Sequence, residues 1–236
     1  MKSNSSNEAL KRSVGIAAAR LVADGMVCGM GTGSTARFFV EEVGRRMREE
    51  GVRVTGVPTS FQSRLLCQQQ GIPLCDAQDC RRIDLAVDGA DEVDPDLNVM
   101  KGGGAAHTME KLVATMASQF VVIVDESKLV PRLGTTIDVP IEVILPALGY
   151  VTAVVKRLGG EPRVRMGTNK DGPVVTDNGQ LVIDAKFGSE VDLREVDDRL
   201  HHTPGVLDTG LFFDLATKVL VGVSNSMSVR SMERKA

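Results

Sequence analysis

Residues 119–127, QFVVIVDES, set five apolar residues in an unbroken row and finish on charge. A strand that is apolar on both faces must be covered on both. That is the situation of a parallel sheet flanked by helices, not of an antiparallel sheet with one wet face. The preceding sequence alternates accordingly. NEALKRSVGIAAARLVADG has Leu10, Val14, Ala17, Ala18, Leu21 and Val22 at helical spacing, and it ends in Gly25, which suits a C-terminal cap. MVCGMG reads as a short strand. STARFFVEEVGRRMREE reads as an amphipathic helix with Ser34 or Thr35 as N-cap. VRVTGV is then a strand, SFQSRLLCQQQG a helix, IPLC a brief strand, and RIDLAVDGAD a strand ending in acid. AAHTMEKLVATMAS, after a glycine run, is helical. This part of the chain is α/β and doubly wound.

From about residue 135 the texture changes. IDVPIEVILP and PVVTDNGQLVIDAKF are β-like, and Asp177-Asn178-Gly179 between two apolar runs signals a hairpin. YVTAVVKRLGG and EVDLREVDDRLHH read as helices, which makes a small α+β unit. PGVLDTGLFFDLATKVLVGV returns to strand-like sequence and is expected to rejoin the first sheet. The polar tail SNSMSVRSMERKA is expected to be loosely held.

Hydrophobic residues at 42% and charged residues at 25% are the balance of a globular chain with ordinary cores. A net charge of −3 gives no basic footprint for nucleic acid, which leaves a small molecule as the expected partner. No apolar run reaches the roughly 18 residues that span a bilayer. The opening MKSNSSNEALKR also lacks the apolar core of a secretory leader, so no membrane is expected and the location is read as cytoplasmic. Cys28, Cys67, Cys75 and Cys80 form no CxxC pair and lie in the other half of the chain from His201 and His202. No metal is expected from that spacing, and the cysteines are read as buried reduced thiols.

Three features follow strands and carry the chemistry. In GMGTGSTA, Gly33, Thr32, Ser34 and Thr35 combine free backbone angles, N–H groups, hydroxyls and a helix start, which together suit a phosphate or carboxylate. A tight turn with a capping serine is the plainer alternative. A dinucleotide would want an acidic residue at the end of the next strand, and VTGVPTS has none; the lysine of a nucleotide-binding P-loop is also missing. In DGADEVDPDLNVMKGGGAAHTMEK, Asp88 and Asp91 stand just past a strand end, where open α/β sheets bind ligands, while Asp94 and Asp96 read as a structural turn. Lys101 with Gly102, Gly103 and Gly104 is suited to folding round an oxygen-rich ligand, and the lysine would compete with a metal for the aspartates.

Glu110 is the third feature. It projects at the border of a helical stripe formed by Ala105, Met109, Leu112, Val113 and Met116. There a carboxylate would lose hydration and become a better base, or else reach out to water as helical glutamates ordinarily do. Lys128, in VDESKLV, follows another strand end and can meet an anion or sit on the surface.

Taken in order, GMGTGSTA, VPTSFQS, DGADEVD, KGGGAA with EK just beyond, VIVDESKLV, TDNGQLVIDAKFG and PGVLDTGLF resemble ribose-5-phosphate isomerases of the A type over nearly the whole chain. The resemblance implies metal-free, cofactor-free interconversion of D-ribose 5-phosphate and D-ribulose 5-phosphate through an enediolate. It places Glu110 as general base, and Asp88 and Asp91, with Gly89 and Ala90 between them, at the sugar's hydroxyl and carbonyl end. Lys101 and Gly102 to Gly104 fall at the oxyanion. Thr32, Gly33, Ser34, Thr35, Lys128 and Lys11 fall at the remaining substrate-binding positions. It further implies a homodimer.

The expected architecture is a Rossmann-like doubly wound domain, 1–134 plus 206–236, with a smaller α+β (ferredoxin-like) domain over 135–205. His107 and Met109 depart from the family pattern of leucine and arginine; His107 is read as filling space in preference to tuning Glu110. Non-catalytic sugar-phosphate sensors of bacterial regulators share the fold. The segment before the first glycine loop is too short for their DNA-binding module, and a dehydrogenase lacks its ribose-binding acid.

Overall fold

The computed structural model describes residues 2–169 and 171–234. In chain order it contains α1 (Lys2–Ala19), β1 (Met26–Met30), α2 (Ser34–Glu50), β2 (Val54–Pro58), α3 (Phe61–Gln70), β3 (Leu85–Asp88), β4 (Glu92–Val93), β5 (Val99–Met100), α4 (His107–Met116) and β6 (Phe120–Asp125). There follow β7 (Val139–Val143), α5 (Leu148–Arg157), β8 (Glu161–Val164), β9 (Leu181–Lys186), α6 (Leu193–His201), β10 (Val206–Thr209), β11 (Leu211–Phe212), β12 (Lys218–Val223) and β13 (Ser228–Glu233). The chain forms two compact units. One is Met1–Ala90 with Met109–Leu129 and Asp214–Ala236; the other is Asp91–Thr108 with Val130–Phe213.

The first unit is built on a six-stranded sheet in the order β13-β12-β6-β3-β1-β2. Every pairing in it is parallel except that of β13 with β12. The apolar run that opened the sequence is β6, and Phe120 to Val124 are each at most 2% exposed, so both faces are covered as its composition requires. Val121 and Ile123 join Val14 and Ala18 of α1 and Phe39 and Val43 of α2 in one core. Elsewhere on the sheet a Cβ at Gly29 would collide with Val113 of α4, so only glycine lets that helix come so close.

The second unit contains the four-stranded sheet β10-β7-β9-β8, all antiparallel. With α5 and α6 it makes a βαββαβ unit of the ferredoxin-like kind, with a core of Ile141, Val143, Val151, Val155, Ile183, Val196 and Leu200. A second, three-stranded sheet in this unit has the order β11-β5-β4.

Several local expectations need correction. α1 ends at Ala19, six residues short of Gly25. Arg46 of α2 donates to the carbonyls of Ala19 and Val22 and so closes the helix end before the glycine is reached. Neither Ser34 nor Thr35 caps α2; Gly33 takes that position, with no side-chain cap. IPLC contributes one parallel bridge, Leu74 to Gly56, and no strand. The Asp177-Asn178-Gly179 turn forms, but its first arm makes only isolated bridges, because both edges of β9 are taken by β7 and β8. The tail is not loose as far as Arg234: β13 pairs with β12 over six residues, with Val229 packed on the core.

Cysteine usage is corrected in part. Cys28 and Cys67 are free and buried, whereas Cys75 and Cys80 are joined to each other, their Cα atoms 6.5 Å apart across the turn Ala77–Asp79. Burial pushes the Cys28 thiol up to about 12, with the charge of Asp84 adding, and burial likewise pushes Cys67 up to about 12. Both thiols are therefore protonated and unreactive near neutrality. Thiol titration of the native, unreduced protein should find no reactive group. Mild reduction should release two, and denaturation after reduction all four. Rapid labelling of Cys28 or Cys67 in the native state would contradict this account.

Glu142, in the middle of β7, is fully buried at 0% exposure. It accepts the hydroxyl of Thr176 at 2.5 Å, the amide of Asn178 at 3.1 and 3.3 Å, and the hydroxyl of Thr108 in the first turn of α4. One carboxylate thus pins the Asp177-Asn178-Gly179 turn and a helix start to the same strand. Replacing it with alanine strands the buried Thr176 hydroxyl and leaves half-buried Thr108 and exposed Asn178 to find water, at an expected cost of about 2 kcal/mol. Denaturant unfolding of Glu142→Ala measures this, and a loss below about 1 kcal/mol would show the donors find other acceptors.

Candidate active site

In the first unit β1 pairs with β2 on one side and β3 on the other, so the strand order reverses between β1 and β3. Open α/β sheets leave a ligand-binding crevice at the carboxyl ends of strands where this happens. The loops leaving β1 and β3 are tied together there. Gly31 N–H donates to Val87 O at 3.0 Å, and Thr32 N–H donates to the Asp88 carboxylate at 3.0 Å. The same Oδ1 of Asp88 accepts Gly89 N–H at 2.7 Å. A Cβ on Gly31 would run into that carboxylate, so the approach is available only to glycine.

Thr32 also shares hydrogen bonds with Thr59 at 2.9 Å and Ser60 at 2.6 Å, which fixes its hydroxyl against the loop after β2. Gly33, at φ 103°, passes its N–H to Gln62 at 3.1 Å. Ser34 is exposed at the start of α2, and Lys11 of α1 donates to its hydroxyl at 3.0 Å; Thr35 lies half-buried beside it. A cation, hydroxyls and a helix N-terminus at one point form a ready anion site.

Asp88 is 3% exposed and Glu110 6% exposed. The face of α4 that is buried runs through His107, Glu110, Val113 and Ala114, while Leu112 is 45% exposed. Glu110 therefore lies within the buried face, not at the border of an apolar stripe. Val113 packs where Gly29 leaves room on β1, and α4 runs antiparallel to the strands it connects. Glu110, one turn earlier, is thus displaced toward the carboxyl ends of the strands. Lys128 is half-buried in the turn Glu126–Lys128 that follows β6, the strand beside β3. His107, at the head of α4, is completely buried.

The second unit holds the other half of the acidic segment. Asp91 precedes β4 and Lys101 follows β5, and Asp91 N–H donates to Met100 O at 2.8 Å across that hairpin. The Asp91 carboxylate accepts Gly103 N–H at 2.9 Å, which draws the glycine loop back toward it. Gly102 sits at φ 113°, backbone that a side chain resists, and Gly103 and Gly104 are exposed. Lys101 is 3% exposed, with Nζ 5.9 Å from the Phe212 ring centroid. Asp94 and Asp96 behave as the turn the sequence indicated, Asp94 accepting N–H groups from Asp96 at 2.9 Å and Asn98 at 2.8 Å.

Sequence reasoning passed over two carboxylates near these residues. Glu92, at 0% exposure on β4, accepts Gly134 N–H at 2.6 Å, Ile137 N–H at 3.2 Å, and both N–H and hydroxyl of Thr136. Glu142 is the other. The available signal was a lone glutamate inside an apolar strand, as in VPIEVIL.

A family model described as ribose 5-phosphate isomerase A (phosphoriboisomerase A) matches residues 55–226. Curated relatives include ribose-5-phosphate isomerase A of Thermosynechococcus vestitus, 50% identical over 90% of this chain and 91% of its own length. The protein of that name from Methanothermobacter thermautotrophicus is 49% identical over 93% and 96%. Among solved structures, ribose 5-phosphate isomerase A from Methanocaldococcus jannaschii superposes with a TM-score of 0.91 at 45% identity, covering 96% of this chain and 99% of that one. A D-ribose-5-phosphate isomerase in complex with phospho-erythronic acid gives 0.91 at 42% identity, covering 95% and 98%. A family model spanning most of the chain and relatives about half identical along nine-tenths of it place this chain in the ribose 5-phosphate isomerase A family.

Proposed function

We propose that this chain interconverts D-ribose 5-phosphate and D-ribulose 5-phosphate, with Glu110 moving a proton between C2 and C1 of the open-chain sugar. The observation that carries the reading is a glutamate buried to 6% exposure on a helix packed across a strand-order reversal, in a chain of this family. Burial of a carboxylate in such a place is the setting in which glutamates serve as general bases.

The electron pair of the C2–H bond becomes the carbon–carbon double bond of an enediolate, and negative charge collects on the former carbonyl oxygen. The proton of the C2 hydroxyl passes to the oxygen on C1, the O–H pair left on O2 forms the C2 carbonyl, and Glu110 returns its own proton to C1. Electrons stay within the substrate, so the step needs no redox partner. In this reading Lys101 and the N–H groups of the Gly102–Gly104 loop stabilise the oxyanion, the kind of term that usually dominates such barriers. Asp88 and Asp91, with Gly89 and Ala90 between them, handle the hydroxyls during ring opening and oxygen protonation. Thr32 to Thr35 hold the phosphate at the N-terminus of α2 together with Lys11 and Lys128. In this reading residues 1–134 with 206–236 serve as the Rossmann-like catalytic domain, and residues 135–205 as the smaller α+β domain. The proposal also takes the enzyme to be a cytoplasmic homodimer that works without metal; exposed Ile144, Leu145, Tyr150 and Leu207 on the second unit support a self-associating surface.

Purified protein in excess chelator should convert ribose 5-phosphate to ribulose 5-phosphate. Glu110→Gln should bind substrate but lose on the order of 10²–10⁴ in kcat, the usual scale of a general base. No turnover by the parent protein overturns the reading, and near-normal turnover by Glu110→Gln removes the assigned role. Ser34→Ala, which deletes the hydroxyl that meets Lys11, should raise KM several-fold with kcat little changed. An unchanged KM would take Ser34 out of the phosphate site.

A further inference from the structure

Arg165 lies just past β8, in a stretch that the proposed chemistry does not use. Its backbone is fixed on both sides, by Arg165 N–H to Val182 O at 2.9 Å and Val174 N–H to Arg165 O at 2.9 Å. One edge of its guanidinium is clamped by Asp184 of β9, through Nε to Oδ2 at 2.9 Å and Nη2 to Oδ1. The remaining nitrogen, Nη1, donates to Gly102 O at 2.6 Å and to Gly103 O at 3.3 Å. The side chains of the pair are only 17% and 23% exposed. A planar fork held bidentately by a carboxylate, with its third nitrogen on two successive carbonyls of a glycine run, is far more ordered than a surface ion pair.

Those carbonyls belong to the peptide groups whose other ends are the N–H groups of Gly103 and Gly104. Trans peptides set C=O and N–H in opposite directions, and there are no cis bonds among the described residues. Fixing the Gly102 carbonyl toward Arg165 therefore aims Gly103 N–H the other way, where it meets the Asp91 carboxylate at 2.9 Å. Fixing the Gly103 carbonyl aims Gly104 N–H in the same manner. A cation on the carbonyl also polarises each peptide and strengthens its N–H as a donor. Within the loop Ala105 N–H donates to Gly102 O at 3.0 Å, and glycines at 102 to 104 have no side chains to add to that hold, so the Gly103 carbonyl is oriented from outside the loop.

We infer that Arg165, held by Asp184, is a positioning residue for the isomerisation: it sets and polarises the Gly102–Gly103 peptide, whose N–H holds the Asp91 carboxylate, and the Gly103–Gly104 peptide, whose N–H is the donor for the enediolate oxyanion. It touches no substrate, and its effect is exerted wholly through the peptide groups. The inference rests on the function proposed above, but fails separately from it. If the parent protein turns over ribose 5-phosphate and the Arg165 variants behave like it, only the inference falls.

The test measures kcat, KM, the melting midpoint and the affinity for phospho-erythronic acid, whose carboxylate sets negative charge where an enediolate develops it. Arg165→Ala should lose about 10- to 100-fold in kcat with KM changed less than about threefold, somewhat less than removal of an oxyanion donor outright. Its affinity for phospho-erythronic acid should fall in step with kcat. Arg165→Lys, a point charge unable to serve Asp184 and both carbonyls together, should recover only part of the loss. Millimolar guanidinium should restore turnover to Arg165→Ala and leave the parent unaffected.

A kcat within twofold of the parent, or equal weakening of substrate and analogue, overturns the inference. Should Arg165→Ala fail to fold, Asp184→Asn decides by the same readings. That variant keeps the guanidinium but loosens its clamp; a fall in kcat alone supports the positioning role, and unchanged kinetics overturn it.

Discussion

One carboxylate oxygen, Oδ1 of Asp88, accepts the backbone N–H groups of both Thr32 and Gly89. Thirty-two and eighty-nine are far apart in sequence and belong to loops leaving two neighbouring strands, so this single atom defines how those loops diverge. Much else follows from satisfying it. β1 and β3 must be adjacent and parallel, which requires β2 to go to the far side of β1 and reverses the strand order at this point. Residue 31 must lack a Cβ, since any side chain would occupy the place of the carboxylate. Residue 33 must accept a positive φ so that α2 can begin immediately afterwards and present its N-terminus there. The conformation of the glycine loop is thus a consequence of how a buried aspartate is satisfied, not an independent decoration of the sheet.

The second unit applies the same solution to its own segment. Asp91 takes Gly103 N–H, Glu92 takes three backbone N–H groups and a hydroxyl, and Glu142 takes two hydroxyls and an amide. Burying a carboxylate is costly unless it is hydrogen-bonded. Apart from Thr108 in the first turn of α4, the bonds come from loops that carry little regular structure of their own. The cost of burial is offset by ordering those loops, so the carboxylates act as fasteners for the Gly102–Gly104 run, residues 134–137 and the first turn of α4.

The parts legible in the sequence are those in which one residue type answers to one local need. Apolar runs became the buried strands, Ser60 and Gly71 bound α3 as a helix start and stop should, and the glycine and acidic loops fell at strand ends. The candidate residues were legible as types, since few chemistries need Asp88, Asp91, Lys101 and Glu110 within one short stretch. What could not be read is what depends on distant partners. Helical spacing set Glu110 at the edge of an apolar stripe because it counted Leu112 as inside; in the fold Leu112 is exposed and the buried face runs through His107, Glu110 and Val113. The end of α1 depends on Arg46, twenty-seven residues beyond Ala19. Polar composition hid β13, because a strand at a sheet edge needs only a ladder and an inward apolar residue, here Val229. Cys75 and Cys80 are paired by a short turn whose conformation their spacing alone does not specify.

In the proposed function the oxyanion is met by a glycine run and not by a set of polar side chains, which suits a charge that exists only transiently. Side-chain donors would have to be ordered in each catalytic cycle and would compete for the substrate's ground-state hydroxyls. Backbone N–H groups are shorter levers, fixed once the peptide planes are fixed, but a glycine run is the least able to fix its own planes. The chain resolves this by holding the planes from both ends, with the Asp91 carboxylate on an N–H and the Arg165 guanidinium on the carbonyls. The two holders have opposite charge and grip opposite poles of the peptide dipoles, so each reinforces the orientation imposed by the other. The first plane is also held within the loop by Ala105 N–H on Gly102 O at 3.0 Å, whereas the carbonyl of the second is met by Arg165. The chemistry proposed for the loop therefore depends on residues some sixty positions downstream of it, contributed by a sheet that at first sight only completes the fold.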